Sequence, residues 1–132
     1  MQQFAPHGKC KLSIEGSILI ADVEGPWNIE FVHLLHEQLV DKVKELNVNN
    51  YGVLLIPRGE ALASQEAIDC HTNFLKQVKA KAVAINLTDS LVPIISKNMY
   101  EKIYQSVNLT AEFFDDNVSA KKWLAQQLTL NE

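Results

Sequence analysis

The feature that most constrains this sequence is the alternation of short apolar runs with longer stretches of helical period. Most side chains in residues 51–56 and 81–87 are apolar, which is typical of strands buried on both faces of a parallel sheet. In residues 29–46, apolar side chains recur every three or four positions, which predicts an amphipathic helix. Strands that alternate with such helices predict an α/β fold.

The chain begins with two shorter strand-like runs, Lys11 to Glu15 and Ser17 to Val23. Gly16 lies between them and favours a tight turn, so the two runs predict a β-hairpin. The second run carries apolar groups on both faces, which predicts an interior strand. Residues 24–28 are predicted to end this strand, and Asn28 is predicted to cap the helix that follows.

The rest of the chain repeats the pattern. Residues 57–60 are predicted to turn the chain before a helix that Ser64 caps, and residues 88–90 to cap a helix that runs to about Ser106, with Pro93 in its first turn. A short strand at 109–114 and a final helix capped by residues 115–117 complete the order β-β-α-β-α-β-α-β-α. We expect one domain over residues 1–132, with a mostly parallel sheet of about five strands and four helices.

The predicted inward faces of the last two helices follow from the same spacing. The side chains expected to point inward are Val92, Ile95, Met99 and Ile103 on one helix, and Val118, Trp123, Leu124 and Leu128 on the other.

Charge and composition exclude several function classes. The formal net charge is -4 and the lysines are scattered, so no basic surface for nucleic acid is expected. No run approaches about 20 apolar residues and no signal peptide is evident, so we expect a cytoplasmic protein without a membrane span. Cys10 and Cys70 lack metal-site spacing, and the familiar catalytic motifs are missing, so we expect no metal, no cofactor and no enzymatic activity.

Four residues are candidates for a functional site. Ser64 is predicted to cap a helix, and a phosphate at the same position would be tolerated at a helix N-terminus. Trp27 is either an exposed anchor for a partner or a hydrophobic staple that packs on the first turn of its helix. Arg58 and Glu60 follow the strand at 51–56, where open α/β sheets bind ligands, although they can equally be solvated loop charges.

The histidines give a weaker signal. His33 and His36 are three residues apart and could share a face of the first helix, but a metal site needs a third ligand. His71 lies on the apolar stripe of the second helix, which is typical of a half-buried, hydrogen-bonded side chain.

Three segments carry a resemblance to a known fold: residues 25–28 at the start of the first helix, the apolar strand 52–56, and residues 112–116 before a helix that contains Ala120 and Trp123. Together with the element order, they resemble the SpoIIAA-like fold over about residues 10–128. This group includes anti-sigma-factor antagonists and other STAS domains, and the bacterial STAS/Sec14-like proteins.

The resemblance implies two functions. In phosphorylatable STAS proteins a partner kinase modifies a Ser or Thr at the start of a helix, and Ser64 is the nearest equivalent, although the usual acidic residue at the end of the preceding strand is absent. In lipid-carrier relatives, an apolar cleft between helices and sheet holds a ligand. Here Phe31, Phe74 and Met99 either fill that cleft or leave it open.

The first functional hypothesis is therefore a non-enzymatic regulatory module that binds a protein partner or its own copy. The alternative is a carrier of an apolar small molecule or lipid in the helix/sheet cleft. A third hypothesis is an enzyme with an unfamiliar site around Arg58 and Glu60.

Overall fold

The computed structural model describes residues 5–129. In these residues five strands and four helices follow one another in the predicted order. The elements are β1 (Lys9–Glu15), β2 (Ile18–Trp27), α1 (Ile29–Val43), β3 (Gly52–Ala63), α2 (Gln65–Leu75), β4 (Ala82–Asn86), α3 (Pro93–Ser106), β5 (Ala111–Phe114) and α4 (Asn117–Thr129).

The strands form one sheet in the order β1-β2-β3-β4-β5. β1 pairs antiparallel with β2 through the turn at Gly16, whose φ of 61° lies in the left-handed region that glycine tolerates. The remaining pairs, β2 with β3, β3 with β4 and β4 with β5, are parallel. The predicted hairpin, the interior position of β2 and the central position of the strand at 51–56 are therefore confirmed.

The two faces of the sheet are covered unequally. α1, α2 and α3 pack on one face against side chains such as Ala21, Leu55 and Val83. Of the described helices, only α4 packs on the other face, against β3 and β4, through Ala120 and Leu124. Because side chains alternate along a strand, neighbouring residues of one strand belong to different layers of the molecule.

β2 and β3 are both longer than predicted. Residues 24–28 and 57–60 contain the glycines and prolines that usually end strands. Here the two segments pair with each other in parallel, with Gly25 opposite Gly59, and an irregularity follows between Gly25 and Trp27. Gly25 allows this approach because a Cβ there would overlap the carbonyl oxygen of Glu60. The predicted strand end and turn were wrong because each extension depends on its partner strand.

The helix starts are partly as predicted. Asn28 caps α1, since its side-chain oxygen accepts the N–H of Phe31 at 3.0 Å, and Asp116 accepts the N–H of Ser119 at 2.7 Å at the start of α4. The predicted cap of α3 by residues 88–90 was wrong. Its N-cap is Val92, without a side-chain cap, and Pro93 lies in the first turn as predicted.

Three details of the predicted helices were also wrong. α1 ends at Val43, and a turn follows it, rather than continuing to Leu46. Ile95 and Val118, which were predicted to point inward, are 55% and 78% exposed. On α3 the buried face is instead formed by Ser96, Tyr100, Ile103 and Tyr104. Ser96 replaces an apolar residue there because its hydroxyl has partners in the core, the Ala61 carbonyl at 2.8 Å and the Ser90 hydroxyl at 3.0 Å.

Candidate ligand-binding cavity

A cavity of about 440 Å³ lies between the sheet and the three helices α1, α2 and α3 that cover one of its faces. This volume is within the range of roughly 300–1,000 Å³ that small-molecule sites have. Its wall is mainly apolar and includes Leu19, Leu55 and Val83 from the sheet, Leu35 from α1, Leu75 from α2 and Ile103 from α3. Phe31, Phe74 and Met99 line the wall, so they do not fill the helix/sheet cleft.

The two ends of the cavity differ in exposure. At one end Trp27, Phe31 and Ala67 are buried, with 7%, 1% and 0% of their surface exposed. At the other end the lining residues Val48 and Lys79 are exposed; they follow the C-terminal ends of α1 and α2. This second end, which we call the mouth, lies where the parallel strands begin.

Two histidines meet at the contact between α1 and α2, beside the cavity. His36 Nε2 and His71 Nδ1 are 2.9 Å apart, and His71 lines the cavity. The His36 ring also stacks on Phe74, with 3.8 Å between the ring centroids and 7° between the planes. Among the described residues His71 Nε2 has no hydrogen-bond partner, so it is free to donate to a ligand or to accept from it.

Burial keeps this histidine pair neutral. It lowers the pKa of His36 from 6.5 to about 4, with a smaller effect from the charge of His33. It lowers the pKa of His71 from 6.5 to about 3, with a smaller effect from His36. A hydrogen bond between two imidazoles needs one N–H and one lone pair, which two neutral rings supply. His33 is exposed, so it does not share the inward face with His36.

Two tyrosines on α3 also line the cavity. Tyr100 and Tyr104 stack with 6.0 Å between their ring centroids and are 5% and 4% exposed. Burial raises the pKa of both phenols, so they stay neutral at physiological pH. The histidines and these tyrosines therefore leave the interior of the cavity without charge.

Of the four candidate residues from the sequence, only Trp27 lines the cavity. Its ring is buried and lies 6.4 Å from that of Phe31, centroid to centroid, in the first turn of α1. This position is that of a side chain packed on its own helix, and not that of an exposed anchor. Ser64 is exposed and caps α2, accepting the N–H of Ala67 at 3.2 Å.

Arg58 and Glu60 lie away from the cavity. Arg58 donates to both carboxylate oxygens of Asp22, from Nε at 2.6 Å and from Nη2 at 3.0 Å, and also to Asp89 at 2.6 Å. Asp22 alternates with Ala21 and so belongs to the sheet face opposite the cavity. Glu60 is exposed. The structure thus shows Arg58 in an ion-pair cluster and does not bring it together with Trp27.

An apolar helix/sheet cleft was one of the two expectations from the resemblance to the SpoIIAA-like fold. From the residues alone, the sequence predicted that His71 on its apolar stripe is half-buried and hydrogen-bonded, as the structure shows. Its pairing with His36 was missed because the two residues are 35 positions apart on different helices. In residues 5–129 no cluster of three His, Cys, Asp or Glu side chains is arranged to hold a metal ion. Within the same range, every helix is too short or too polar to cross a membrane.

Comparison with known proteins identifies the fold. No protein-family model and no curated protein matches this chain. Among solved structures, it is similar to an uncharacterized protein from the DUF3478 family with a SpoIIAA-like fold, from Shewanella loihica PV-4. The TM-score is 0.63 at 14% sequence identity, over 94% of this chain and 98% of that chain. The chain therefore has a SpoIIAA-like fold, as the resemblance of its sequence predicted.

Proposed function

We propose that this protein binds an apolar small molecule or a lipid chain in the cavity between the sheet and α1, α2 and α3. The observation that supports this function best is the cavity itself, about 440 Å³ with a mainly apolar wall. Burial of apolar ligand surface contributes about 25 cal/mol per Å², so such a wall favours hydrocarbon. A protein of this size that is close-packed throughout has few voids larger than a water molecule.

A cavity-filling substitution tests the proposal. Val53 lines the cavity from β3, and Val53→Phe adds an aromatic ring to that space. The matched control is Val118→Phe, the same change at a residue of α4 that is 78% exposed on the other side of the sheet. Binding of the uncharged fluorescent probe N-phenylnaphthylamine, and its displacement by dodecanol, measures occupancy.

Wild type and Val118→Phe should bind the probe, and dodecanol should displace it. Val53→Phe should bind it at least tenfold more weakly while its thermal unfolding remains cooperative. The proposal would be wrong if the wild type fails to bind the probe, or if Val53→Phe binds it as tightly as the control does. Ala21→Leu, which fills the same cavity from β2, serves as a second variant if Val53→Phe does not fold.

One observation favours a second candidate function, the binding of a protein partner or of a second copy. Leu91, Ile94 and Ile95 lie together at the start of α3 and are 74%, 77% and 55% exposed. Adjacent exposed apolar side chains of this kind occur at interaction surfaces. Leu91 is held next to the end of β3, because its N–H donates to the Gly59 carbonyl at 2.8 Å.

Light scattering during size-exclusion chromatography tests this candidate for self-association. A dimer that dissociates in Ile94→Ser would support it, and a monomer at high concentration would exclude it for a second copy.

A switch at Ser64 would in addition make Ser64→Asp change partner affinity without changing stability. Neither candidate function requires an enzymatic activity or a particular location. The cytoplasmic location stays a prediction.

A further inference from the structure

The charges around the cavity are distributed unevenly. Inside, the lining side chains His71, Tyr100 and Tyr104 are kept neutral by burial. At the mouth, Lys79 lines the cavity and is exposed. Burying an unpaired charge costs far more free energy than leaving it in contact with water. A charged group of a ligand is therefore expected at the mouth and not in the interior.

The segment that carries Lys79 is basic. Lys76, Lys79 and Lys81 lie in a stretch without any acidic residue between Asp69 and Asp89. Among the described residues, none of the three lysines takes part in an ion pair. Lys76 is the C-cap of α2, where a cation stabilises the negative end of the helix dipole. Lys79 lies beyond the helix, so interaction with the helix dipole does not account for its charge.

The opposite side of the mouth does not neutralise these lysines. The last turn of α1 and the turn after it carry two acidic residues, and each of these is paired with a lysine of the same segment. The pairs are Lys44 with Asp41 and Lys42 with Glu45, both at 3.3 Å. The mouth therefore carries a positive charge at Lys79 that no acidic side chain of this segment neutralises.

We propose that the ligand is a single-chain amphiphile whose hydrocarbon tail lies in the cavity and whose anionic head group lies at the mouth, beside Lys79. This inference rests on the proposed binding of an apolar ligand and adds the charge of the head group and its position. A carboxylate and a phosphate share the chemistry that Lys79 recognises, which is an exposed anion that accepts charged hydrogen bonds.

Four probes with the same tail and different head groups test the inference: dodecanoate, dodecyl phosphate, dodecanol and dodecyltrimethylammonium. Each is titrated against the full chain at low salt, below its micelle concentration, in competition with N-phenylnaphthylamine. We expect dodecanoate or dodecyl phosphate to bind about fivefold more tightly than dodecanol, the effect of one good exposed ion pair. The ammonium probe should bind most weakly, and the ratio of the two anions identifies the preferred head group.

Lys79→Gln should abolish the preference for the anion over dodecanol, and Lys122→Gln, an exposed lysine of α4 on the other face, should retain it. An anion preference that survives Lys79→Gln would overturn the inference, as would equal binding of all four probes. In both of these cases the tail still binds, so the proposed function stands. If no probe binds, including dodecanol, the proposed function itself fails.

Discussion

Acidification from about pH 7 to about pH 5 is expected to destabilise the protein through His36 and His71. Both side chains are neutral in the folded state, because burial lowers the pKa of His36 to about 4 and that of His71 to about 3. In the unfolded chain each imidazole takes up a proton below its ordinary pKa of about 6.5. The unfolded state then binds more protons, so stability falls as the pH falls.

The size of the effect follows from the pKa values. Stability due to each neutral histidine is fully present above about pH 6.5 and decreases by about 1.4 kcal/mol per pH unit from there toward the pKa of the folded state. At about pH 5 the loss is at most about 2 kcal/mol for each histidine. Both side chains are partly exposed, so each contributes less than that. Together they should cost about 3 kcal/mol, while most carboxylates are still ionised.

Urea denaturation at the two pH values measures this loss. The double variant His36→Leu/His71→Leu should lose less than about 1 kcal/mol over the same interval, whatever its absolute stability. His33→Gln, which removes an exposed imidazole from α1, should keep the steep pH dependence. Equal losses of stability in the wild type and the double variant would contradict this prediction. Proton NMR titration provides the same test without a variant, because neither imidazole should titrate above about pH 5.

Three further predictions concern stability and are measured by thermal and urea denaturation. Gly25→Ala should lower the free energy of unfolding by about 3 kcal/mol, because its Cβ would overlap the carbonyl oxygen of Glu60. Gly16→Ala should lower it by about 1 kcal/mol through its positive φ alone, because a Cβ at this position meets no atom within 4 Å. Ser64→Ala should cost about 1 kcal/mol through loss of the helix cap, and Ser64→Asp should not, because Asp also caps. Ser96→Ala should cost about 1–3 kcal/mol, because a buried hydroxyl bonded at 2.8 Å to a backbone carbonyl is lost. An unchanged free energy of unfolding would contradict the corresponding prediction.

The elements that the sequence predicted correctly are those whose signal is local. The apolar run at 51–56 became part of central strand β3, and the oxygens of Asn28 and Ser64 cap α1 and α2 as their positions before amphipathic stretches indicated. In each case the deciding interaction lies within a few residues along the chain.

The features that were missed depend on residues far apart in the chain. The extensions of β2 and β3 exist because Gly25 and Gly59 pair across the sheet. The histidine pair forms because α1 and α2 pack side by side, which brings together His36 and His71, 35 residues apart in the sequence. The sequence left open whether the helix/sheet cleft is filled, because the same apolar side chains can close a core or surround a space, depending on the distance between helices and sheet. Spacing along one element contains none of this information.

The proposed function requires that the space beneath α1, α2 and α3 takes up a hydrocarbon chain. Methyl NMR of the protein during titration with dodecanoate tests this claim directly. Resonances from the cavity wall should shift in a saturable manner, and those from the α4 face of the sheet should not. The wall methyls are those of Leu35, Leu55, Val83 and Ile103, and the methyls of the other face are those of Ile18, Leu54, Ile56 and Leu124. Shifts in the wall group alone are the predicted result. Unchanged spectra at a saturating concentration, or equal shifts in both groups, would contradict the proposed function.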